Sequence, residues 1–108
     1  MAATKQEMRD KVLKVLKLLP NGQDADAEHV SIVEDNIDAA QAFLAAEGIA
    51  YWATSAIPNG VVQAYRDYVA AKAALELRKD VVTNEVTALA DMRSFTATVN
   101  GSIRQTYF

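Results

Sequence analysis

The sequence predicts a mainly α-helical protein: a small bundle of about four helices with an extended or β-hairpin C-terminal arm. Apolar residues recur at three- and four-residue steps through most of the chain, and Gly, Pro and Asn interrupt this pattern where helices would end. The periodicity stops after residue 95. We therefore expect a single domain, with a helical body over residues 1–95 and a docking arm over residues 96–108.

The first helix is expected to begin at Thr4 and to end before Pro20. Thr4 and Glu7 have the spacing of a capping box, in which each residue bonds the backbone of the other. Pro20 ends the helix because it displaces the preceding residue from helical geometry. The predicted apolar stripe consists of Met8, Val12, Val15 or Leu16, and Leu19.

The second predicted helix has the clearest periodicity and runs from about residue 26 to residue 47. Asp24 or Asp26 is placed to cap it, and Glu28 adds favourable negative charge to its first turn. Gly48 supplies the left-handed residue that commonly follows a helix. The inward positions step by three and four residues: Val30, Val33, Ile37, Ala40 and Leu44.

A connector over residues 49–55 carries Tyr51 and the single tryptophan, Trp52. The two rings are expected to pack between helices, and the alternative is that they form a second interface with a partner. Both uses are open to Tyr and Trp because each combines an apolar body with a polar tip.

Two further helices are predicted after the connector. Pro58 opens the third helix, where its missing N–H does no harm, and an alanine-rich middle permits close contact with a neighbour. This helix is expected to run to about residue 79, and a shorter fourth helix covers residues 84–95. The third helix has inward positions at Val61 or Val62, Tyr65, Val69, Ala73 and Leu77, and the fourth at Val86, Leu89, Met92 and Phe95.

The remaining residues are expected to form an arm. Asn100-Gly101 is a strong hairpin signal, but in that register each face mixes apolar and polar residues. Since a two-stranded ribbon without an apolar side is marginal alone, the arm either packs on its own helices or is completed by another chain. Aromatic anchors often fill a partner's pocket. The predicted docking residues are Val99, Ile103, Arg104, Gln105, Tyr107 and Phe108.

The absence of cysteine, the net charge and the length of the apolar runs argue against several functional classes. The 108 residues include no cysteine, which excludes disulfides and thiolate metal sites and is typical of proteins assembled in a reducing cytoplasm. A net charge of −3 disfavours specific nucleic-acid binding, and Lys11, Lys14 and Lys17 are interpreted as a solvated helix face. No apolar run approaches the ~20 residues of a membrane span, and no secretory signal precedes the first helix.

No pattern in the sequence indicates catalysis or metal binding. His29, the one histidine, stands among acidic residues without partners at ligand spacing and is interpreted as a surface residue. The acidic residues after Asn21-Gly22 do not form a calcium loop, because the glycine precedes them. We expect no cofactor, no metal and no enzymatic activity.

Four segments, taken in order, carry a family resemblance: VLKLLPNGQDADAE, FLAAEGIAYW, AIPNGVVQAYRDYVAAKAAL and QTYF. They resemble the head-to-tail adaptor proteins of tailed bacteriophages and gene-transfer agents, also called connector or head-completion proteins. The resemblance covers about residues 12–74 and the last residues of the sequence. Residues 79–95 depart from the family pattern.

The resemblance implies a ring-forming subunit of the virion neck, assembled in the host cytoplasm, usually in twelve copies. Such a ring attaches below the portal protein after DNA packaging, and its C-terminal arm docks onto the portal. The next neck or tail-completion protein binds the other face, and packaged DNA passes through the lumen. The alternative reading of the residues is a small helical protein-interaction or regulatory module.

Overall fold

The computed structural model describes residues 3–18, 26–78 and 83–104, with side chains described as far as residue 98. Four helices form a small bundle, as the sequence predicts. They are α1 (Lys5–Val15), α2 (Ala27–Ala46), α3 (Val62–Leu77) and α4 (Glu85–Arg104), and a short 3₁₀ turn over Asn59–Val61 leads into α3. The one strand-like feature of the described residues is an isolated antiparallel bridge between Ala3 and Ile57.

α3 lies at the centre of the bundle and contacts each of the other three helices. It carries four buried alanines, Ala70, Ala71, Ala73 and Ala74, and their short side chains let neighbouring helices approach closely. The predicted inward residues of α2 and α3 are confirmed, with Val30, Val62 and Leu77 partly buried at the margin. The largest fully buried side chains are Tyr65, Met8, Leu13, Ile37, Leu44, Ile57 and Met92.

The predicted starts of α1 and α2 are confirmed, whereas Pro58 does not open α3: its backbone is extended, and α3 begins at Val62 after the 3₁₀ turn. The Thr4 Oγ1 accepts a hydrogen bond from the Glu7 N–H, and the Glu7 carboxylate accepts one from the Thr4 N–H, both at 3.2 Å. At the start of α2 the Asp26 Oδ1 accepts from the Glu28 N–H at 2.8 Å, so Asp26 is the cap. Asp24, the other candidate, lies outside the described residues.

The ends of α1 and α2 share one motif. Gly48, at φ 73°, follows α2 as expected, and the Ile49 N–H donates to the Leu44 carbonyl at 2.9 Å. After α1 the left-handed position belongs to Lys17, at φ 61°, and the Leu18 N–H donates to the Leu13 carbonyl at 2.8 Å. These are the backbone bonds of a Schellman C-cap.

The prediction that α1 continues to Pro20 is therefore wrong. The helix ends at Val15, because Lys17 adopts the left-handed conformation that closes the C-cap. Leu19 and Pro20 lie outside the described residues, so the predicted place of Leu19 on the apolar stripe is not tested.

The fourth helix differs most from the sequence prediction. α4 runs from Glu85 to Arg104 and includes Asn100-Gly101, so a hairpin or extended arm over residues 96–104 is wrong. Helix propagation adds one backbone hydrogen bond for each residue fixed, whereas a hairpin needs a second strand and an apolar side. A helix already anchored by buried residues at its start therefore continues through the hairpin signal.

Two details of α4 move the boundary between body and arm. Thr96, the first residue of the predicted arm, is buried, and its hydroxyl donates a 2.6 Å hydrogen bond to the Ile49 carbonyl. Val86, predicted to point inward, is 77% exposed, and Ala88 takes the inward position instead. The packed body therefore includes Thr96, and the helical backbone continues to Arg104.

Candidate interaction surfaces

Helices α2, α3 and α4 leave between them a groove of about 370 Å³ that we call the aromatic groove. It forms because α2 carries a second line of residues beside its buried stripe, turned toward the gap between α3 and α4. The residues that define it are Asn36, Ala39 and Phe43 of α2, Tyr68 and Lys72 of α3, and Glu85 and Leu89 of α4.

Two aromatic rings stack at the groove. The rings of Phe43 and Tyr68 are nearly parallel, with 6.3 Å between their centroids and 10° between their planes. Tyr68 is buried, whereas Phe43 remains 41% exposed. Burial raises the pKa of the Tyr68 hydroxyl, so this ring is neutral at physiological pH. The groove thus offers a neutral, apolar aromatic surface to solvent.

A polar rim borders these rings. The Lys72 Nζ lies 2.7 Å from the Glu85 Oε1 and 5.6 Å from the centroid of the Tyr68 ring, so it links α3 to α4. The hydrogen bond to Glu85 raises the pKa of Lys72. On the other side, the Asn36 amide donates to the Ile32 carbonyl at 2.8 Å. An apolar floor with a few fixed polar groups is the usual composition of a binding pocket.

Exposed apolar side chains extend this surface. Leu75 is 66% exposed and lies, by helical spacing, on the same side of α3 as Tyr68 and Lys72. Val86 is 77% exposed and adjoins Glu85 in the first turn of α4. Phe43, Leu75 and Val86 are thus exposed large apolar side chains on three different helices.

The connector carries a second aromatic cluster, which we call the connector cluster: Tyr51, Trp52, Tyr65 and Gln41. The Trp52 ring is buried and packs edge-on against Tyr65, at 6.4 Å between centroids. The Gln41 Nε2 donates to the Trp52 carbonyl at 2.6 Å, and the Tyr65 hydroxyl donates to the Gln41 Oε1 at 3.0 Å. These bonds fix the connector to α2 and α3.

Trp52 and Tyr51 thus have different environments. Trp52 packs between helices, in agreement with the favoured interpretation of the sequence, and burial raises the pKa of its neighbour Tyr65. Tyr51 is 57% exposed and contacts the Trp52 ring edge-on at 5.2 Å. Of the two, Tyr51 is the one that remains a candidate second interface.

Three of the six predicted docking residues lie within the part of the chain that the structure describes, and three lie outside it. Val99, Ile103 and Arg104 belong to the last turns of α4, where the backbone is helical. Gln105, Tyr107 and Phe108 lie outside the described residues. In sequence, the apolar positions 92, 99 and 103 and the buried Thr96 follow steps of four, three and four, which is the spacing of one helix face.

The basic residues of α1 lie on two sides of the helix, and only one of these sides faces acidic residues of α2. Lys11, Lys14 and Lys17 are exposed, as expected for a solvated face, and none pairs with an acid among the described residues. Lys5 and Arg9, on another side of α1, reach Asp38 at 2.8 Å and Glu34 at 3.8 Å on α2. The bond to Asp38 raises the pKa of Lys5. These pairs join the two helices.

Within residues 3–18, 26–78 and 83–104, no group of His, Asp and Glu side chains could hold a metal ion, and His29 is half-buried on α2. None of the helices in the described part of the chain is long and apolar enough to cross a membrane.

Sequence reasoning did not identify the aromatic groove. A signal was present, because Asn36, Ala39 or Ala40, and Phe43 repeat at helical spacing beside the buried stripe of α2. A second line of apolar residues on one helix indicates either a wider core or an exposed surface, and the positions of α3 and α4 decide between the two.

Family models, curated proteins and solved structures were each compared with this chain, and none matches it.

Proposed function

We propose that the protein is a ring-forming head-to-tail adaptor of a tailed bacteriophage, which binds the portal protein and links the DNA-filled head to the tail. In this function it acts in the virion neck, with itself, the portal and the next neck or tail-completion protein as partners. The proposal rests on the ordered sequence resemblance and on three features of the structure.

The first feature is that the resembling motifs fall at element boundaries. Glu47, Gly48 and Ile49, the EGI of the second motif, form the C-cap of α2. Ile57, at the start of the third motif, forms the bridge with Ala3, and Pro58 precedes the turn that leads into α3. Motifs that set the starts and ends of helices support a shared architecture more strongly than scattered matches would.

The second feature, which carries the proposal, is the path of α4. Its last buried residue among those whose side chains are described is Thr96, and its backbone continues as a helix to Arg104, about two turns further. The predicted docking residues Val99, Ile103 and Arg104 lie on that continuation. We therefore propose that the arm presents itself to the portal as the end of a helix, in place of an added strand.

The third feature is the distribution of charge. On α2, Glu34 and Asp38 are paired with Arg9 and Lys5 of α1, Asp35 lies beside them, and the whole chain keeps a net charge of −3. An acidic channel wall does not attract DNA, which lets a genome pass without adhering. The expected measurement is weak binding to duplex DNA at low salt. Tight, strongly salt-dependent binding would contradict this part of the proposal.

The function is tested by removing residues 103–108 and measuring attachment to the portal protein of the same virus. The expected result is a helical body with unchanged circular dichroism per residue that no longer joins the portal in sedimentation or electron micrographs. The matched control is Lys14→Ala, which truncates an exposed side chain of α1 and should leave portal attachment intact. A truncated protein that still docks normally would contradict the proposal.

A second candidate function is a small helical protein-interaction module, favoured by the aromatic groove, which is suited to hold a side chain of a partner. Electron microscopy of the purified protein, with and without portal, separates the two functions. Closed annuli, or added density below the portal, support the adaptor. Separate small particles in both samples support the interaction module.

A further inference from the structure

We infer that the aromatic groove of one copy of this chain receives Tyr107 and Phe108 of a second copy. The inference goes beyond the proposed function, because it concerns contacts between copies in the absence of the portal. It names a receptor within the chain for residues that the sequence marks as aromatic anchors.

The chemistry of the groove selects the occupant. Its floor is the stacked pair of Phe43 and Tyr68, and the 41% exposure of Phe43 leaves part of that ring open to contact. Aromatic rings pack on such a surface in offset-stacked or edge-to-face geometry. Tyr107 and Phe108 are two aromatic residues at adjacent positions, which the sequence marks as candidate anchors.

The rim suits a segment that carries a hydroxyl and peptide groups beside its rings. The Lys72–Glu85 pair and the Asn36 amide stand at the edge of the groove, where they can bond the polar atoms of Gln105, Thr106 and Tyr107. Paired polar groups around a central aromatic anchor are the arrangement in which a few residues supply most of the binding energy.

Tyr107 and Phe108 are too far from the aromatic groove of their own chain to enter it. Leu89 lines the groove, and α4 continues from there to Arg104. At about 1.5 Å per residue, these two residues lie about 22 Å apart along the helix axis. Residues 105–108 span at most about 14 Å when fully extended, and they would first have to reverse direction, because α4 runs away from the groove. A groove that receives Tyr107 and Phe108 therefore belongs to another copy.

The contact between copies is then heterologous, with the end of α4 on one copy and the groove on the next. Such contacts generate closed rings when the rotation between neighbours closes, and open chains when it does not. Because Tyr107 and Phe108 are also among the predicted portal-docking residues, the portal is expected to compete with the groove for them.

The test uses two variants of the full chain that each remove one half of the contact. Ala39→Trp fills the groove from an exposed position on α2 and leaves the tail intact. Tyr107→Ser combined with Phe108→Ser removes the anchors and leaves the groove open. The matched controls are Ala45→Trp, on the side of α2 opposite the groove by helical spacing, and Lys14→Ser, at an exposed position of α1 outside both halves.

Self-association is measured by sedimentation of fluorescently labelled protein over a range of concentrations, with circular dichroism to verify the fold. We expect the wild-type chain and both controls to associate. Each half-contact variant should associate about 30-fold more weakly, the usual effect of losing a dominant interface residue. An equimolar mixture of the two variants should form a 1:1 complex, because one supplies the tail and the other the groove.

The association measurements test this inference, whereas portal attachment tests the proposed function. A wild-type chain that stays monomeric without portal, or an Ala39→Trp variant that associates like wild type, overturns the inference. A mixture that forms no 1:1 complex also overturns it, since the tail and groove would then not be partners. Portal attachment by the wild-type chain in any of these cases leaves the proposed function standing.

Discussion

Tyr65 and Tyr68 lie one turn apart on α3, yet they belong to clusters with opposite properties. Tyr65 is fully buried and donates its hydroxyl to Gln41, which in turn bonds the Trp52 carbonyl. Tyr68 is covered on one side by a ring that is itself 41% exposed, that of Phe43. The connector cluster is buried and joined by hydrogen bonds, with only the Trp52 indole N–H left unpaired among the described residues, whereas the aromatic groove is open to solvent.

The difference teaches how one helix can serve folding and binding at once. Buried polar atoms are costly unless they are paired, so the bonds among Gln41, Tyr65 and Trp52 specify one arrangement of the connector. An open apolar groove contributes less to stability, because water already contacts part of its surface. Substitutions in the connector cluster should therefore affect the free energy of unfolding, and substitutions in the groove should affect association.

The largest expected effect is that of Trp52→Ala. Truncating a buried aromatic residue leaves a cavity, and such changes typically cost about 3–5 kcal/mol of the free energy of unfolding. The matched control, Tyr51→Ala, removes the adjacent exposed ring and should change stability by less than about 0.5 kcal/mol. Urea unfolding followed by circular dichroism measures both. Equal losses in the two variants would remove the distinction between these neighbours.

A smaller loss is expected from Gln41→Leu. This change leaves the Trp52 carbonyl without the Gln41 amide, whereas the Tyr65 hydroxyl keeps its 3.3 Å bond to the Ile37 carbonyl. An unpaired buried polar group costs about 1–3 kcal/mol. Asn36→Leu is the counterpart on the same helix at the groove, where solvent can replace the lost bonds. It should be nearly neutral in urea unfolding. A Gln41→Leu protein as stable as wild type would show that the connector network contributes nothing to stability.

Thr96→Val tests where the body ends on α4. The buried hydroxyl bond to the Ile49 carbonyl is lost, with an expected cost of about 1 kcal/mol. Thr96→Ser keeps the hydroxyl and should recover much of the loss. Thr98→Val, on an exposed position of the same helix, should cost less than half as much. If the Thr98 variant were the less stable one, the packed body would have to extend differently along α4.

The smallest expected effect concerns the ion pair at the groove rim. Glu85 raises the pKa of Lys72 above its ordinary value of 10.5, so the folded state holds this proton more tightly than the unfolded state does. The pair therefore stabilises the fold at pH values below 10.5, and its contribution is lost as pH rises through the higher folded pKa. Because the pair is partly exposed, the contribution is at most about 1 kcal/mol.

The measurement is the difference in unfolding free energy between wild type and Lys72→Met as a function of pH. The subtraction removes the titration of other groups, so the difference should be constant near neutral pH and should shrink at alkaline pH. A difference that grows with pH would contradict the assignment.

Local signals in the sequence predicted most of the helices. The capping box at Thr4, the cap at Asp26 and the turn at Gly48 depend on residues within one helical turn, so each could be recognised without knowledge of the fold. The end of α1 could not, because a lysine adopts the left-handed conformation at position 17 that the rules reserve for glycine or asparagine.

The tail of α4 shows where a local signal fails. Asn100-Gly101 favours a hairpin in isolation, but these residues follow a helix anchored by Ala88, Met92 and Thr96. The buried anchors belong to tertiary packing, which the local signal does not include. The predicted arm residues Val99, Ile103 and Arg104 therefore lie on a helix, and their proposed role in docking stays a prediction.

The candidate site could be predicted only in part. The connector aromatics were recognised as a pair, but the sequence could not assign Trp52 to the core and Tyr51 to the surface. The aromatic groove was missed, because it exists only where three helices meet. Phe43 has the same helical spacing whether α4 covers it or not, so its exposure is a property of the packing.

The most direct test of this account is hydroxyl-radical footprinting of the wild-type chain, which reports the solvent exposure of individual side chains, at low and at high protein concentration. Phe43 is predicted to lose reactivity as copies associate, while Tyr51 keeps the reactivity expected from its 57% exposure in the single chain. If Phe43 reacts equally at both concentrations while the protein associates, the aromatic groove is not the contact between copies.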